Sequence, residues 1–400
     1  MKLLENPDLL ELIKNELSKK IVGEDDAKVT VFLGLITAFS DYEPMNIILS
    51  GGSSAGKTYL MENILRIFPD KMYKIFRRVT ATSLDRYHAN DENFTWNHMI
   101  LAIGELGTLP ENCSTVRQFL SEGGGTLLST EEKRKVKELD ISGRPVFITS
   151  TAEEEVESQF FNRALVITLD QSEEQTKKIL RYIARLCANP EDIIEFDPII
   201  KSAISLLKNH DVKIPYSELL ADKFPIKRLR ARRDFSSLIK LVKASTILHQ
   251  MQRKKEKIND KTYLVANLED YEIARNLAHT VLDTTRMDIT GVIKESFEIL
   301  KRKYVEYDVT GEIKERMEFT VDNIIQEKLF QISPPAVYDR VKCLLGKGLL
   351  EVSKRRDVIS IDGKYDREVG RPKSYYMIAT VNDGNPYPSK IELEKKEVNT

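Results

Sequence analysis

A single octapeptide constrains this chain more than anything else in it. An apolar run, Asn46-Ile47-Ile48-Leu49, gives way to Gly51-Gly52-Ser53-Ser54-Ala55-Gly56-Lys57-Thr58, and apolar positions then recur at Tyr59, Leu60, Ile64, Leu65 and Ile67. The octapeptide satisfies Gly-x-x-x-x-Gly-Lys-Thr, and it lies between a predicted strand and a predicted helix, the context that separates a phosphate loop from a chance glycine turn. Its glycines let backbone amides turn inward around phosphate oxygens, and the following helix adds its N-terminal dipole. Gly51, Gly52, Ser53, Ser54, Ala55, Gly56, Lys57 and Thr58 are therefore expected to cradle ATP or a close relative. Lys57 would reach the β- and γ-phosphates, and Thr58 would ligate Mg2+.

Three further short apolar runs follow, Met99–Ile103, Val146–Ile148 and Leu165–Leu169, each bounded by Gly, Pro or polar residues. Apolar strands alternating with helices indicate an α/β fold with a parallel sheet covered on both faces, here a P-loop NTPase core over residues 1–172. From Glu173 to about Leu282 the periodicity is almost entirely helical, which predicts a helical lid and connecting helices over 173–285. Helical patterns at Val292–Tyr304, Val321–Ile325 and Pro335–Leu345, followed by a basic strand-like stretch, predict a C-terminal winged helix over 286–382. Residues 383–400 are polar and are expected to form a disordered tail.

Composition excludes several classes. The 61 basic and 62 acidic side chains nearly cancel, so any nucleic-acid surface must be local. Cys113, Cys187 and Cys343 show no paired spacing, which argues against a disulfide framework or a zinc cluster and for a reducing compartment. The five histidines have no metal spacing either. No apolar run is long enough to span a bilayer, and Met1–Lys20 reads as an amphipathic helix interrupted by charges; a cytoplasmic protein without membrane contact is expected.

Hydrolysis needs an acidic group at the end of a neighbouring strand. Met99-Ile100-Leu101-Ala102-Ile103-Gly104-Glu105 supplies Glu105 to polarise water, but Gly104 stands where a magnesium-orienting Asp is normally found. Two readings follow: a slow or regulated ATPase, or a nucleotide switch that barely turns over. Thr151, after Val146–Ile148, is placed to sense a γ-phosphate or to cap the next helix. Arg163, ahead of the fourth strand, is suited either to a neighbouring subunit's phosphate or to a surface ion pair.

These parts in this order resemble the AAA+ ATPase module of MCM-type replicative helicases, nearest to the plasmid, phage and mobile-element branch often attached to primases. Ile21-Val22-Gly23-Glu24-Asp25 is similar to the family's motif ahead of the P-loop. Thr115–Ser129 leads into a charged hairpin as the family's pre-sensor insertion does, Phe161–Asp170 resembles its arginine-finger segment, and Arg232-Arg233-Asp234-Phe235 resembles the start of its sensor-two helix. The resemblance implies a homo-oligomeric ring, commonly a hexamer, acting on DNA. Lys57, Thr58, Glu105 and Thr151 would serve from one subunit and Arg163 with Arg233 from the next, with Arg230 and Arg232 as substitutes for Arg233. No segment before Ile21 is long enough for the family's amino-terminal tier or for a primase domain, so a separate primase or loader protein is an expected partner.

The same resemblance aims the segment Thr130–Glu138 into the ring's pore, where Lys133, Arg134, Lys135 and Lys137 would grip phosphates; read alone, it is a solvated charged face. Arg340 and Lys342, on the third winged-helix segment, are further DNA-contact candidates, although protein contact is an equal reading for that domain. Tyr87, in an insertion over Arg77–Asn93, suits either base stacking or core packing.

Overall fold

The computed structural model describes residues 2–80, 83–89, 94–108, 116, 119, 125–130, 136–152, 163–191, 194–225, 231–286, 291–307, 313–346, 350–352, 374–377 and 387–388. The chain divides into two compact units, residues 1–282 with 387–400, and residues 283–386.

The first unit is built on a five-stranded parallel sheet. Its strands are β1 (Ile47–Ser50), β2 (Tyr73–Phe76), β3 (Ile100–Ile103), β6 (Val146–Thr151) and β7 (Leu165–Thr168), in the order β2-β3-β6-β1-β7. Every residue of β1, β3 and β6 is buried, as expected of central parallel strands covered on both faces. β2 at one edge is half-exposed, which is why its apolar signal is weak in the sequence. Helix α1 (Leu9–Ser18) packs on α2 (Asp25–Ile36), and α2 is buried from Ala27 to Ile36. A helix apolar on all sides belongs in a core. Lys28 on α2 is fully buried, and its ammonium donates to Ser18 Oγ, Gly23 O and Asp25 Oδ1 at 2.7, 3.0 and 2.6 Å, so a charge inside the fold is satisfied by three partners.

Between β3 and β6 the chain forms an antiparallel hairpin, β4 (Gly125–Thr130) with β5 (Val136–Ile141), whose last register pair is Thr130 with Val136. The strands of the expected charged hairpin are thus present. Lys133, Arg134 and Lys135 lie outside the described residues, and Lys137 is described only as a position on β5. Helix α4 (Ser83–Ala89) occupies the other insertion. Tyr87 there sits against Phe76, Phe94 and Trp96 at ring distances of 5.6, 5.5 and 5.9 Å, which assigns it to an aromatic core.

After β7 the chain continues through α5 (Glu173–Ala188), α6 (Pro198–Ser205), α7 (Ser217–Lys223), α8 (Ala231–Leu248) and α9 (Leu268–Arg286). The almost wholly helical expectation is corrected here. A three-stranded sheet, β8 (Asp211–Lys213), β9 (Lys255–Ile258) and β10 (Lys261–Val265), runs in the order β8-β10-β9. Asn259 and Asp260 close its hairpin with φ of 47° and 63°, the left-handed pair that a two-residue turn requires. Asp270 is fully buried and receives Arg253 through Nε and Nη2 at 2.7 and 2.8 Å and Ser245 Oγ at 2.7 Å, tying α8 to α9. Tyr387 and Pro388, within the stretch expected to be disordered, are buried: Tyr387 stacks on Phe224 at 5.4 Å, and Tyr271 Oη donates to Pro388 O at 2.7 Å.

The second unit contains α10 (Gly291–Tyr304), a hairpin of β11 (Val305–Tyr307) and β12 (Ile313–Arg316), then β13 (Phe319–Thr320), α11 (Val321–Gln326), α12 (Pro334–Gly346), β14 (Leu350–Val352) and β15 (Ser374–Met377). The last sheet has the order β13-β15-β14. Thr320 caps α11 through a capping box with Asn323. Arg340 on α12 is half-exposed, donates through Nη1 to Ser296 Oγ at 2.9 Å and lies over the Phe330 ring; Lys342 is exposed.

Candidate nucleotide site

Parallel strands end together, and the site lies at the carboxyl ends of three of them. β1 ends at Ser50, aligned with Thr151 on β6; Ile103 on β3 aligns with Thr149, which brings Glu105 level with Thr151. The sheet order puts β6 between the P-loop strand and the strand that leads to Glu105.

The loop from Gly51 to Gly56 turns back sharply into α3 (Lys57–Leu65). Gly56 has φ of 82° with open space where a Cβ would stand, so backbone conformation, not crowding, calls for glycine there. At Gly52 a Cβ would come within 2.7 Å of Gln171 Oε1, the end of a side chain that can shift, and that oxygen accepts from Gly52 N at 3.2 Å. The Lys57 ammonium donates to Gly51 O and Gly52 O, each at 2.7 Å, and so bends over the loop. Burial pushes its pKa down, and the charge of nearby Glu105 opposes that. Thr58 is exposed on the first turn of α3. Lys57, Thr58, Glu105 and Thr151 are thereby gathered at one end of the sheet. The left-handed turn, the helix N-terminus and the lysine fit a triphosphate with its magnesium.

Gly104 is held by its own backbone. Its amide donates to Phe76 O at 3.0 Å, and Ser150 Oγ donates to its carbonyl at 2.6 Å. A Cβ at this position would meet Arg77 O at 3.4 Å, an ordinary contact, so neither φ nor space demands glycine here.

Arg163 lies at the other end of the sheet. Asn46 Nδ2 donates to Arg163 O at 3.2 Å, just before β1 and β7 begin. Five residues of extended chain, about 16 Å, separate Asn46 from Gly51, farther than an arginine side chain reaches. Arg163 cannot serve the phosphate loop of its own chain. Arg233 is exposed on the first turn of α8, two helical turns before Lys240, whose ammonium donates to Pro44 O at 3.2 Å and pairs with Glu43 at 3.1 Å. Arg163 is thereby tied to the start of β1, while Arg233 shares a helix with Lys240, which is anchored to the segment that feeds β1. Glu43 also receives Arg144, three residues beyond the end of the β4–β5 hairpin. Arg230 lies outside the described residues; Arg232 is exposed.

Sequence reasoning did not anticipate the cavity beside the loop, about 580 Å3 in volume. It is walled by Lys20–Val22 and Glu24, by Ser53–Gly56 with Tyr59 and Leu60, by Leu169–Gln171 and by the inner face of α5, where Gln175, Ile179, Tyr182 and Ile183 project. Tyr182 Oη donates to Lys19 O at 3.1 Å and Tyr59 Oη to Lys20 O at 3.2 Å, fastening α5 and α3 to the same segment. A mostly apolar recess adjoining a phosphate loop fits a nucleoside. The signal available was the apolar spacing of Ile179 and Ile183 on a helix that is otherwise charged.

Among the described residues, no three His, Cys, Asp or Glu side chains converge as metal ligands, and no helix is long and apolar enough to cross a membrane. Residues 1–209 match the family model described as the MTBMA_p00010 P-loop domain, just over half of the 400-residue chain. No curated protein matches the chain.

Proposed function

This chain belongs to the MTBMA_p00010 P-loop domain family, and on that premise we propose that it is an MCM-like AAA+ ATPase that assembles as a homo-oligomeric ring, hexameric by resemblance, around DNA. In this reading ATP hydrolysis drives translocation or unwinding during replication of a mobile, viral or plasmid genome, with a separate primase or loader protein as partner. The observation that carries it is the disposition of the two ends of the sheet. Lys57, Thr58, Glu105 and Thr151 gather at the carboxyl end, while Arg163 stands at the amino end, too far to reach them in its own chain. A site divided in this way is completed by a second copy.

Each group then has a task. The loop amides and Lys57 hold the phosphates, and Thr58 contributes its hydroxyl to magnesium, which neutralises phosphate charge when bound. Glu105 orients the attacking water, and Thr151 hydrogen-bonds at the γ-phosphate position. Arg163 and Arg233 of the neighbour offset charge that develops in the transition state. The β4–β5 hairpin supports a DNA contact through Lys133, Arg134, Lys135 and Lys137, because it is inserted between the strand that leads to Glu105 and the strand that ends at Thr151. Helix, strand, helix, helix, strand, strand is the element order of a winged helix with an inserted hairpin, and it supports a second DNA contact that includes Lys342.

Gly104 favours a second reading, an ATP-gated DNA-binding adaptor such as a loader or initiator with little turnover, since that position offers magnesium no side-chain oxygen. Duplex and single-stranded DNA added to the purified protein separate the two. The motor reading expects ATPase stimulated severalfold by DNA, with strand displacement abolished in Lys57→Ala. Tight ATP binding with no turnover on any DNA would leave the adaptor.

A further inference from the structure

Several polar groups on the wall of the cavity are committed to the fold. Gln171 Oε1 accepts from Gly52 N, Gln175 Nε2 donates to Val22 O at 2.6 Å, and the two carboxylate oxygens of Asp170 accept from Ser172 N and Ser172 Oγ at 2.8 and 3.1 Å. Glu24 differs. Its Oε1 accepts from Asp170 N at 2.8 Å, and its Oε2 has no hydrogen-bond partner among the described residues, on a side chain that lines the cavity.

The backbone presenting Glu24 is held firmly. Gly23 and Glu24 both adopt left-handed conformations, with φ of 66° and 54°. Such a conformation is uncommon for a glutamate and costs energy that the surroundings must offset. Lys28 supplies part of the restraint through Gly23 O, and Gln175 packs so closely that a Cβ on residue 23 would lie 2.2 Å from its Oε1. A strained, immobilised carboxylate facing a nucleoside-sized recess is preorganised for one hydrogen bond.

We propose that Glu24 reads the base, selecting a purine with a 6-amino group over one with a 6-keto group. This rests on the reading that the Gly51–Thr58 loop holds the triphosphate. An ionised carboxylate oxygen only accepts, so it pairs with the N6 amine of adenine. At the same place hypoxanthine presents a keto oxygen, a second acceptor, and can satisfy the carboxylate only if the base shifts to offer its N1–H, which costs the fit to a fixed glutamate. Ile21, Val22, Leu60, Ile179 and Ile183 supply apolar contact that any purine would share and so do not discriminate.

The experiment compares equilibrium binding of ATP, inosine triphosphate and inorganic tripolyphosphate to the wild-type chain, Glu24→Gln, Glu24→Ala and Lys57→Ala. It is run at pH 8, because burial, opposed chiefly by the hydrogen bond from the Asp170 amide, pushes the Glu24 pKa up to about 7. The wild type should prefer ATP over inosine triphosphate by about tenfold or more, the worth of one hydrogen bond to a charged group. Glu24→Gln, whose amide can donate or accept, should reduce that ratio to within about twofold, and Glu24→Ala should do the same, with tripolyphosphate binding unchanged in both. A ratio that survives both substitutions overturns the proposal, while loss of tripolyphosphate binding in Lys57→Ala leaves the loop's role standing. Tripolyphosphate binding indifferent to Lys57→Ala overturns the phosphate-loop reading and this proposal with it.

Discussion

Ser150 Oγ donates to the carbonyl of Gly104 at 2.6 Å, so the residue in the place of the usual magnesium-orienting carboxylate is fixed through its main chain by the neighbouring strand. With a Cβ at ordinary contact distance from Arg77 O, the position accepts a side chain. Gly104→Asp should therefore fold with a melting temperature within a few degrees of the wild type. It should also raise Mg2+-dependent ATP turnover, on the order of tenfold, by adding a charge-assisted ligand interaction. A turnover rate that does not rise in a folded Gly104→Asp variant would show that magnesium is already oriented by other groups.

Glu24 makes a pH-dependent contribution to stability. Its folded-state pKa is raised from the ordinary 4.5 to about 7, chiefly by burial, so the folded chain holds a proton over this interval that the unfolded chain has released. Stability therefore falls as pH rises from about 4.5 to 7, and above 7 the penalty is complete. Glu24→Gln removes the titration. Its melting temperature relative to the wild type should climb across that window and then level off. A constant offset from pH 4.5 to 8 would contradict the assignment.

Arg253 is 6% exposed at its side chain and meets the fully buried Asp270 through two nitrogens. Arg253→Ala would leave that carboxylate without its cation, a change worth about 3–5 kcal/mol. Chemical denaturation followed by far-UV circular dichroism should show the loss in the transition of the first unit. A midpoint unmoved by the substitution would mean that Ser245 Oγ and the Asn267 backbone amide, which donates to Asp270 Oδ2 at 3.1 Å, satisfy Asp270 unaided.

Tyr387 is 2% exposed, stacks on Phe224, and its carbonyl accepts from Arg275 Nε at 3.1 Å. Tyr387→Ala should destabilise the first unit by about 3–5 kcal/mol, as for other large buried aromatics. Ending the chain after Asn385 should have a similar effect. If both versions melt with the full-length chain, the segment contributes nothing to the fold in solution.

The sheet was legible because central parallel strands are buried on both faces and write themselves as uninterrupted apolar runs, as at Ile47–Leu49 and Ile100–Ile103. The phosphate loop was legible because its chemistry needs fixed residues at fixed spacing. The small sheet β8-β10-β9 was not: Lys255–Ile258 and Lys261–Val265 are largely exposed, lysine-bearing strands, and their hairpin is closed by Asn259-Asp260 without a glycine. The cavity escaped notice for a different reason. Its wall is drawn from residues 20–24, 53–60 and 169–186, whose proximity is a product of the fold and not of any local pattern. Tyr387 was hidden in the same way, an apolar residue in a polar tail with a binding slot more than a hundred residues away in sequence.

The central claim is that one chain supplies the phosphate loop and another supplies Arg163. Mixing two inactive variants tests it most directly. Lys57→Ala and Arg163→Ala, each measured alone, should hydrolyse ATP at a small fraction of the wild-type rate. Combined at equal concentration and allowed to assemble, they should recover activity well above the sum of the two, because some junctions then pair an intact Lys57 with an intact Arg163. A mixture that stays at the sum, or an Arg163→Ala variant as active as the wild type, would contradict a site shared between copies.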